Sequence, residues 1–194
     1  MKQLLIDCDE VLLDWIPVFQ NFAENKLGRK FVGYPVQYTL SDWMGVSSEE
    51  RIETILEFNN HHEDFAHLPA FKKSEIYLPL IKNLGYELVV ITACSPHPQA
   101  QEKRNRNLQS VFGDIFADVI YVENSGAKNE VLKKYEPTIF IEDNFDNAKM
   151  GADIGHESFV IRQPYNTMYE SHNYDSITFV DDWCHIFKIL KPAT

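Results

Sequence analysis

Residues 4–15 read LLIDCDEVLLDW, and this stretch places two aspartates, Asp7 and Asp9, directly after a short apolar run. Consecutive branched apolar residues followed by polar ones predict a short buried β-strand. Carboxylates at the end of such a strand lie where open parallel sheets bind their ligands. The rest of the chain decides whether other polar side chains reach the same edge.

Further apolar runs predict the remaining strands of a sheet. Two helical patterns, PQAQEKRNRNLQSVFG and KNEVLKKY, separate three of these runs, and the alternation implies right-handed crossovers between parallel strands. DDWCHIFKIL predicts a closing helix. The sequence therefore predicts an α/β core with a flavodoxin-like parallel sheet. The predicted strands after the first are ELVVIT (87–92), ADVIYV (117–122), TIFIED (138–143), SFVI (158–161) and ITFV (177–180).

Residues 15–83 interrupt this alternation. Apolar residues recur at helical spacing from Trp15 to Phe22, and Asp14 precedes them at the position of a helix cap. The SSEE pattern at Ser47 predicts the start of a second helix. We predict that residues 15–83 form a small, mostly helical cap inserted after the first strand, and that residues 1–14 and 84–194 form the catalytic core.

Composition disfavours several classes of partner. The formal net charge of −11 repels nucleic acid polymers and anionic membrane surfaces. No apolar run approaches the roughly 18 residues that a membrane helix needs, and Asp7 interrupts the first run before it could act as a secretory signal. The three cysteines show no close spacing, which suits a reducing compartment. We expect a cytoplasmic protein; whether it forms a homodimer stays open.

The polar ends of the predicted strands should converge at one edge of the sheet. They comprise Asp7, Asp9, Thr92, Glu142 and Asp143, with Lys128 close by at the start of a helix. Several carboxylates in one place repel each other unless a hard cation such as Mg²⁺ lies among them. Phosphoryl chemistry suits such a site, because one carboxylate can attack phosphorus while a second donates a proton to the leaving oxygen.

These residues carry a resemblance to the phosphohydrolases of the haloacid dehalogenase (HAD) superfamily. DCDEV (7–11) matches the first superfamily motif, DxDx(T/V), and VVIT (89–92) resembles the second. Lys128 stands for the third motif, with Lys133 and Lys134 as competing candidates, and IEDNFDN (141–147) stands for the fourth. The resemblance implies a HAD-like Rossmannoid sheet flanked by helices. The long gap between the first two motifs corresponds to an inserted helical cap.

Within the superfamily the chain is most similar to the 5′(3′)-deoxyribonucleotidases. The similarity includes the DxDxVLxDW start, the FxxLPxF stretch before the second motif and QPYN (163–166). Glu10 departs from the pattern, since these nucleotidases usually carry glycine there. The implied function is Mg²⁺-dependent hydrolysis of (deoxy)nucleoside monophosphates. Two alternatives stay open: a HAD phosphatase for another small ester such as a sugar phosphate, and a catalytically silent binding protein with the same fold.

The resemblance also implies a role for each motif residue. Asp7 is the expected nucleophile, and Asp9 is the expected general acid and then base. Thr92 and Lys128 are expected to hold the phosphoryl oxygens. The implied ligands of Mg²⁺ are the Asp7 carboxylate, the Asp9 backbone carbonyl and Asp143, with Glu142 and Asp146 in or near the second shell of the ion.

Aromatic residues of the predicted cap are candidates for stacking on a nucleobase. They are Trp15, Phe19, Tyr34, Trp43 and Phe65. We favour Trp15 and Phe19 as substrate contacts, because they follow the catalytic loop closely. Lys103, Arg104 and Arg106 form a basic stripe that we interpret as a solvated helix face, with assistance in phosphate capture as the alternative.

Overall fold

The computed structural model describes residues 2–123, 127–172 and 174–192. In this part of the chain six parallel strands form one sheet in the order β3-β2-β1-β4-β5-β6. The predicted parallel α/β architecture is confirmed, but the flavodoxin-like strand order is wrong: the order is that of the doubly wound Rossmann sheet, with β1 between β2 and β4. The strands are β1 (Lys2–Ile6), β2 (Tyr86–Thr92), β3 (Asp118–Tyr121), β4 (Ile139–Glu142), β5 (Glu157–Ile161) and β6 (Ile177–Val180).

The strand order places the functional motifs side by side. Leu5 of β1 pairs with Val89 of β2 on one side and with Phe140 of β4 on the other. Leu4, Leu5 and Ile6 are fully buried, as expected of a central strand covered on both faces. Because β1, β2 and β4 are neighbours and parallel, the residues that follow them emerge at the same edge of the sheet.

Helices cover the sheet and supply the crossovers. The chain runs through α1 (Trp15–Leu27), α2 (Ser41–Met44), α3 (Ser48–His61), α4 (Ser74–Asn83), α5 (Pro98–Phe112), α6 (Lys128–Leu132), α7 (Phe145–Asp153) and α8 (Trp183–Leu190). None of the described helices combines the length and apolar character that crossing a bilayer requires.

The helix boundaries follow local capping chemistry. Ser47 caps α3 by accepting the backbone N–H of Glu50, as its sequence pattern predicts. Asp14 occupies the cap position of α1, but its side chain makes no capping hydrogen bond. The carboxylate of Glu10 instead accepts the N–H of Ile16 in the first turn, at 2.7 Å. A carboxylate near a helix N-terminus also interacts favourably with the helix dipole.

The segment between β1 and β2 leaves and re-enters the core through two adjacent stretches. Leu13 forms an antiparallel bridge with Ala70, and the N–H of Asp14 donates to the carbonyl of Pro69. Helix α4 then packs against β2 and α8. The range 15–83 therefore includes one helix that lies on the sheet, and the division into core and cap remains a prediction.

Candidate active site

A buried lysine joins two of the predicted site carboxylates. Lys128 begins α6 and exposes 2% of its surface. Its Nζ lies 2.7 Å from Oδ1 of Asp7 and 2.6 Å from Oε1 of Glu142. Burial alone would lower the pKa of Lys128, but the two carboxylates outweigh burial and raise it. The lysine is therefore held as a cation beside Asp7.

Glu142 is committed to internal hydrogen bonds. Its Oε2 accepts the backbone N–H groups of Asp143 and Asn144, and its Oε1 accepts the side-chain amide of Asn147 as well as Lys128. Burial raises the pKa of Glu142, but Lys128 and these hydrogen bonds bring it below its usual value. The arrangement orients Lys128 and the turn after β4, so Glu142 acts as a support for the site.

Asp7 and Asp143 provide the carboxylates that could hold a cation. One carboxylate oxygen from each of Asp7, Glu142 and Asp143 lies within 4.8 Å of the other two. Burial and the charge of Glu142 raise the pKa of Asp7 to about 7 and that of Asp143 well above its usual value. Because the three carboxyl groups are buried together, they cannot all be ionised unless a further cation joins Lys128. Such a set of hard oxygen donors fits Mg²⁺.

The loop after β5 supports Asp143 from the other side. The hydroxyl of Tyr165 donates to Oδ2 of Asp143 at 2.6 Å, and the amide of Asn166 donates to its backbone carbonyl at 2.7 Å. Gln163 completes the contact by donating to the carbonyl of Glu10. The QPYN tetrapeptide thus packs directly on the turns that carry the site carboxylates. Asp146, in contrast, is exposed on α7.

Asp9 is ion-paired with an arginine that the sequence analysis placed on the surface. Nη2 of Arg104 lies 2.5 Å from Oδ1 of Asp9, and the Arg104 side chain is fully buried. The expectation of a solvated basic stripe is wrong for this residue. Successive helical residues are separated by about 100°, so the exposed Arg106 faces away from Arg104 and pairs with Glu63. Lys103 is also buried and donates to a backbone carbonyl.

Glu10 adopts a backbone conformation that glycine normally supplies. Its φ of +58° lies in the left-handed region, where a Cβ atom is disfavoured. Its carboxylate accepts hydrogen bonds from Tyr34 and Ile16, which hold this conformation. Burial raises the pKa of Glu10 to about 7. A turn of this kind favours glycine, and the glutamate that stands here adds a link to the segment after α1 through Tyr34.

A cavity of about 310 Å³ opens above these groups. Asp7, Asp9, Lys128 and Asp143 line it together with Trp15. Phe19 does not lie in this wall, because its fully buried ring stacks behind Trp15 with 4.2 Å between ring centroids. The structure thus brings one of the two favoured aromatic residues to the cavity and places the other in the hydrophobic core.

Thr92 lies at the end of β2 beside the cavity wall. Its side chain is buried, and its Oγ1 has no hydrogen-bond partner within the described residues. The next residue, Ala93, lines the cavity. A buried hydroxyl without a partner carries a desolvation cost, and a bound phosphoryl oxygen would remove that cost.

The other three aromatic candidates make internal contacts. Tyr34 donates its hydroxyl to Glu10, Trp43 donates its indole N–H to the carbonyl of Gly33, and Phe65 lies over the guanidinium of Arg104. None of the three belongs to the described cavity wall.

Several residues of the cavity wall carry no recognisable signal in the sequence. Asn59 accepts the indole N–H of Trp15 and donates to the carbonyl of Cys94, so it links α3 to the core. Arg51, also on α3, lines the cavity with a buried Nε that has no partner within the described ranges. Neither residue belongs to a recognisable motif. Tyr38 and Tyr165 also line the cavity, and only Tyr165 carried a signal, through QPYN.

Comparison with known proteins identifies the fold. No protein-family model and no curated protein matches the chain. A putative phosphoglycolate phosphatase from Lactobacillus delbrueckii subsp. bulgaricus superposes with a TM-score of 0.67 at 14% identity, over 97% of this chain and 98% of that one. A haloacid dehalogenase-like hydrolase from Streptococcus pneumoniae gives a TM-score of 0.66 at 14% identity, over 98% and 99%.

A third structure is D,D-heptose 1,7-bisphosphate phosphatase from B. bronchiseptica, in complex with magnesium and phosphate. It gives a TM-score of 0.61 at 9% identity over 98% of both chains. The predicted HAD-like sheet is therefore confirmed. The closer similarity to 5′(3′)-deoxyribonucleotidases finds no support in these comparisons and stays a prediction.

Proposed function

We propose that this chain is a Mg²⁺-dependent phosphomonoesterase that acts through a phosphorylated Asp7. One observation carries the proposal: Asp7 and Asp143 converge with Lys128 at the mouth of one cavity, and Asp9 lines the same cavity. The HAD-like fold is consistent with this chemistry, and phosphatases are among the solved structures that share it.

In the first step an Asp7 oxygen attacks phosphorus, and the bond from phosphorus to the leaving oxygen breaks. Asp9 gives its proton to that oxygen, so the alcohol departs neutral. In the second step Asp9 takes a proton from water, the water oxygen attacks phosphorus, and the bond to Asp7 breaks. Phosphate leaves, and both aspartates return to their starting states.

The other residues of the site bind and orient the phosphoryl group. Lys128 offers an ammonium and Thr92 a hydroxyl without a partner in the described structure, and both can hydrogen-bond to phosphoryl oxygens. Asp7, Asp143 and the backbone carbonyl of Asp9 are the proposed ligands of Mg²⁺. A bound Mg²⁺ would supply positive charge against the carboxylates and the transferring group.

We further propose a nucleoside monophosphate as the substrate. The cavity wall supports this choice, because Trp15 and Tyr38 bring aromatic rings to it and Arg51 and Asn59 bring polar groups. Base–aromatic stacking contributes roughly 1–3 kcal/mol in nucleic-acid sites. A sugar phosphate is the second candidate, which the heptose bisphosphate phosphatase among the neighbours favours.

A substrate panel tests both levels of the proposal. Purified protein is assayed for phosphate release from nucleoside monophosphates, sugar phosphates and p-nitrophenyl phosphate, with Mg²⁺ and with EDTA. We expect hydrolysis that needs Mg²⁺ and that Asp7→Asn abolishes, whereas the exposed Asp181→Asn retains it. A preference for sugar phosphates would replace the nucleotide proposal. If no ester is hydrolysed, with Mg²⁺ or with EDTA, the result would favour a silent binding protein.

A further inference from the structure

A fully buried arginine touches the proposed general acid. Arg104 extends from α5, a core helix that follows β2, and Nη2 contacts Oδ1 of Asp9 at 2.5 Å. The Asp9 side chain keeps 29% of its surface exposed and lines the cavity. The ion pair therefore joins a group in the interior to a group at the reaction site.

The surroundings of Arg104 fix its position. Its guanidinium lies 4.4 Å from the ring centre of Phe65, and Nε and Nη1 have no hydrogen-bond partner among the described residues. One turn away on α5, the amide of Asn107 hydrogen-bonds to both the N–H and the carbonyl of Leu68. A buried charge with so few partners is costly, and Asp9 is the carboxylate that compensates it.

The hydrogen-bonding capacity of arginine determines which Asp9 oxygen can carry a proton. A guanidinium has donors and no acceptor. The oxygen that receives a hydrogen bond from Arg104 therefore faces an N–H group and is a poor site for a proton. When Asp9 is protonated, the proton resides on Oδ2. That oxygen can transfer the proton to a leaving group without breaking the contact between Arg104 and Oδ1.

We propose that Arg104 is a positioning residue for the general acid: it holds Oδ1 of Asp9 so that Oδ2 delivers the proton to the leaving oxygen. The inference rests on the proposed phosphomonoesterase activity. As the bond between phosphorus and the leaving oxygen breaks, the proton moves from Oδ2 to that oxygen and negative charge develops on Asp9. The fixed guanidinium is already in place to stabilise this charge.

If Arg104 positions the general acid, the effect of losing Arg104 on the hydrolysis rate should depend on the leaving group. A p-nitrophenolate ion leaves readily without a proton, whereas an alkoxide needs one. Loss of Arg104 should therefore slow hydrolysis of an alkyl phosphate much more than hydrolysis of p-nitrophenyl phosphate. General acid catalysis is worth about 10²–10⁴-fold, and we expect the loss for the alkyl ester to exceed the loss for the aryl ester by at least about tenfold.

The experiment compares kcat/KM for the two esters in wild type, Arg104→Met and Lys103→Met. Lys103 is the matched control, since it is the neighbouring buried cation and contacts the carbonyl of Asn60, at 2.9 Å, rather than a carboxylate. Lys103→Met should leave kcat/KM unchanged for both esters or lower it by similar factors. Arg104→Lys is assayed in parallel with the same two esters. It keeps a cation for Asp9, and it serves as the test variant if Arg104→Met does not fold.

A double-mutant comparison separates positioning from general damage. In an Asp9→Asn background the ratio of alkyl to aryl hydrolysis should not change further when Arg104→Met is added, because residues that act as one unit are not additive. Equal losses for both esters, or a further change of the ratio in that background, would overturn the inference. A wild-type protein that hydrolyses neither ester would refute the proposed function, and the role of Arg104 with it.

Discussion

Replacement of Lys128 by methionine tests the electrostatic organisation of the site. The change keeps an apolar chain of similar length and removes the charge that contacts Asp7 at 2.7 Å and Glu142 at 2.6 Å. Glu142 is fully buried and Asp7 nearly so, which limits how far water can compensate for the lost ammonium. Glu142 keeps hydrogen bonds from Asn147 and from two backbone N–H groups, whereas Asp7 loses its cation.

The expected cost follows from the burial of the cluster. Removal of one partner from a buried ion pair costs about 3–5 kcal/mol of stability. For a chain of this length each kcal/mol corresponds to about 2–4 °C in Tm, so Lys128→Met should lower Tm by about 6–20 °C. A second substitution, Glu142→Gln, should recover part of this loss, because it removes one of the two carboxylates left without a cation.

Thermal unfolding followed by circular dichroism, in EDTA and at pH 8, measures the effect. Lys133→Met is the matched control: this exposed lysine pairs with Glu130 at the surface, and a surface pair of this kind contributes about 0–1 kcal/mol. A drop in Tm for Lys128→Met no larger than that for Lys133→Met would refute the proposed organisation. A strictly additive double variant with Glu142→Gln would refute the direct coupling.

Three further predictions concern other parts of the chain. Glu10→Gly should be more stable than Glu10→Ala by about 1–2 kcal/mol in urea unfolding, because both lose the carboxylate and only alanine is strained at φ +58°; equal stabilities would contradict the strain argument. Hydrogen bonds from Lys30 and the N–H of Phe31 lower the pKa of Glu24 to about 2, so its contribution to stability is present above its ordinary value of 4.5 and is lost as the pH falls towards 2. The free energy of unfolding of Glu24→Gln should therefore depend less on pH between 4.5 and about 2 than that of the wild type. An unchanged pH dependence in this range would exclude the effect. Arg51→Gln should raise KM for the best substrate severalfold and leave kcat nearly unchanged, since Arg51 lines the cavity and contacts none of the reacting carboxylates; a fall in kcat alone would contradict a role in binding.

Motif spacing was sufficient to predict which groups meet at the sheet edge. Asp7, Thr92 and Asp143 stand at the ends of apolar runs whose alternation with helices predicts buried parallel strands, and parallel strands present their carboxyl ends together. The adjacency of β1, β2 and β4 then placed Lys128 within reach of Asp7. These predictions depended only on local patterns of a few residues at the strand ends, and the observed strand order brings those residues together.

Tertiary packing determined the features that the sequence did not reveal. In the sequence Arg104 resembles its neighbours on α5. Its burial depends on the packing of Phe65, whose ring lies over the guanidinium. Phe19 follows Trp15 at helical spacing, yet Trp15 lies on the cavity side of the stack and Phe19 behind it. The capping of α1 by Glu10 in place of Asp14 depends on a left-handed turn that no local pattern indicated.

Chemical trapping of Asp7 tests the central proposal most directly. The protein is mixed with its best substrate and Mg²⁺, quenched within one turnover and reduced with borohydride, which converts an aspartyl phosphate to homoserine. Mass spectrometry of the peptide that carries residues 2–15 should then show homoserine at position 7, and no conversion in a sample without substrate. Rapid phosphate release with position 7 unmodified at every quench time would contradict covalent catalysis by Asp7.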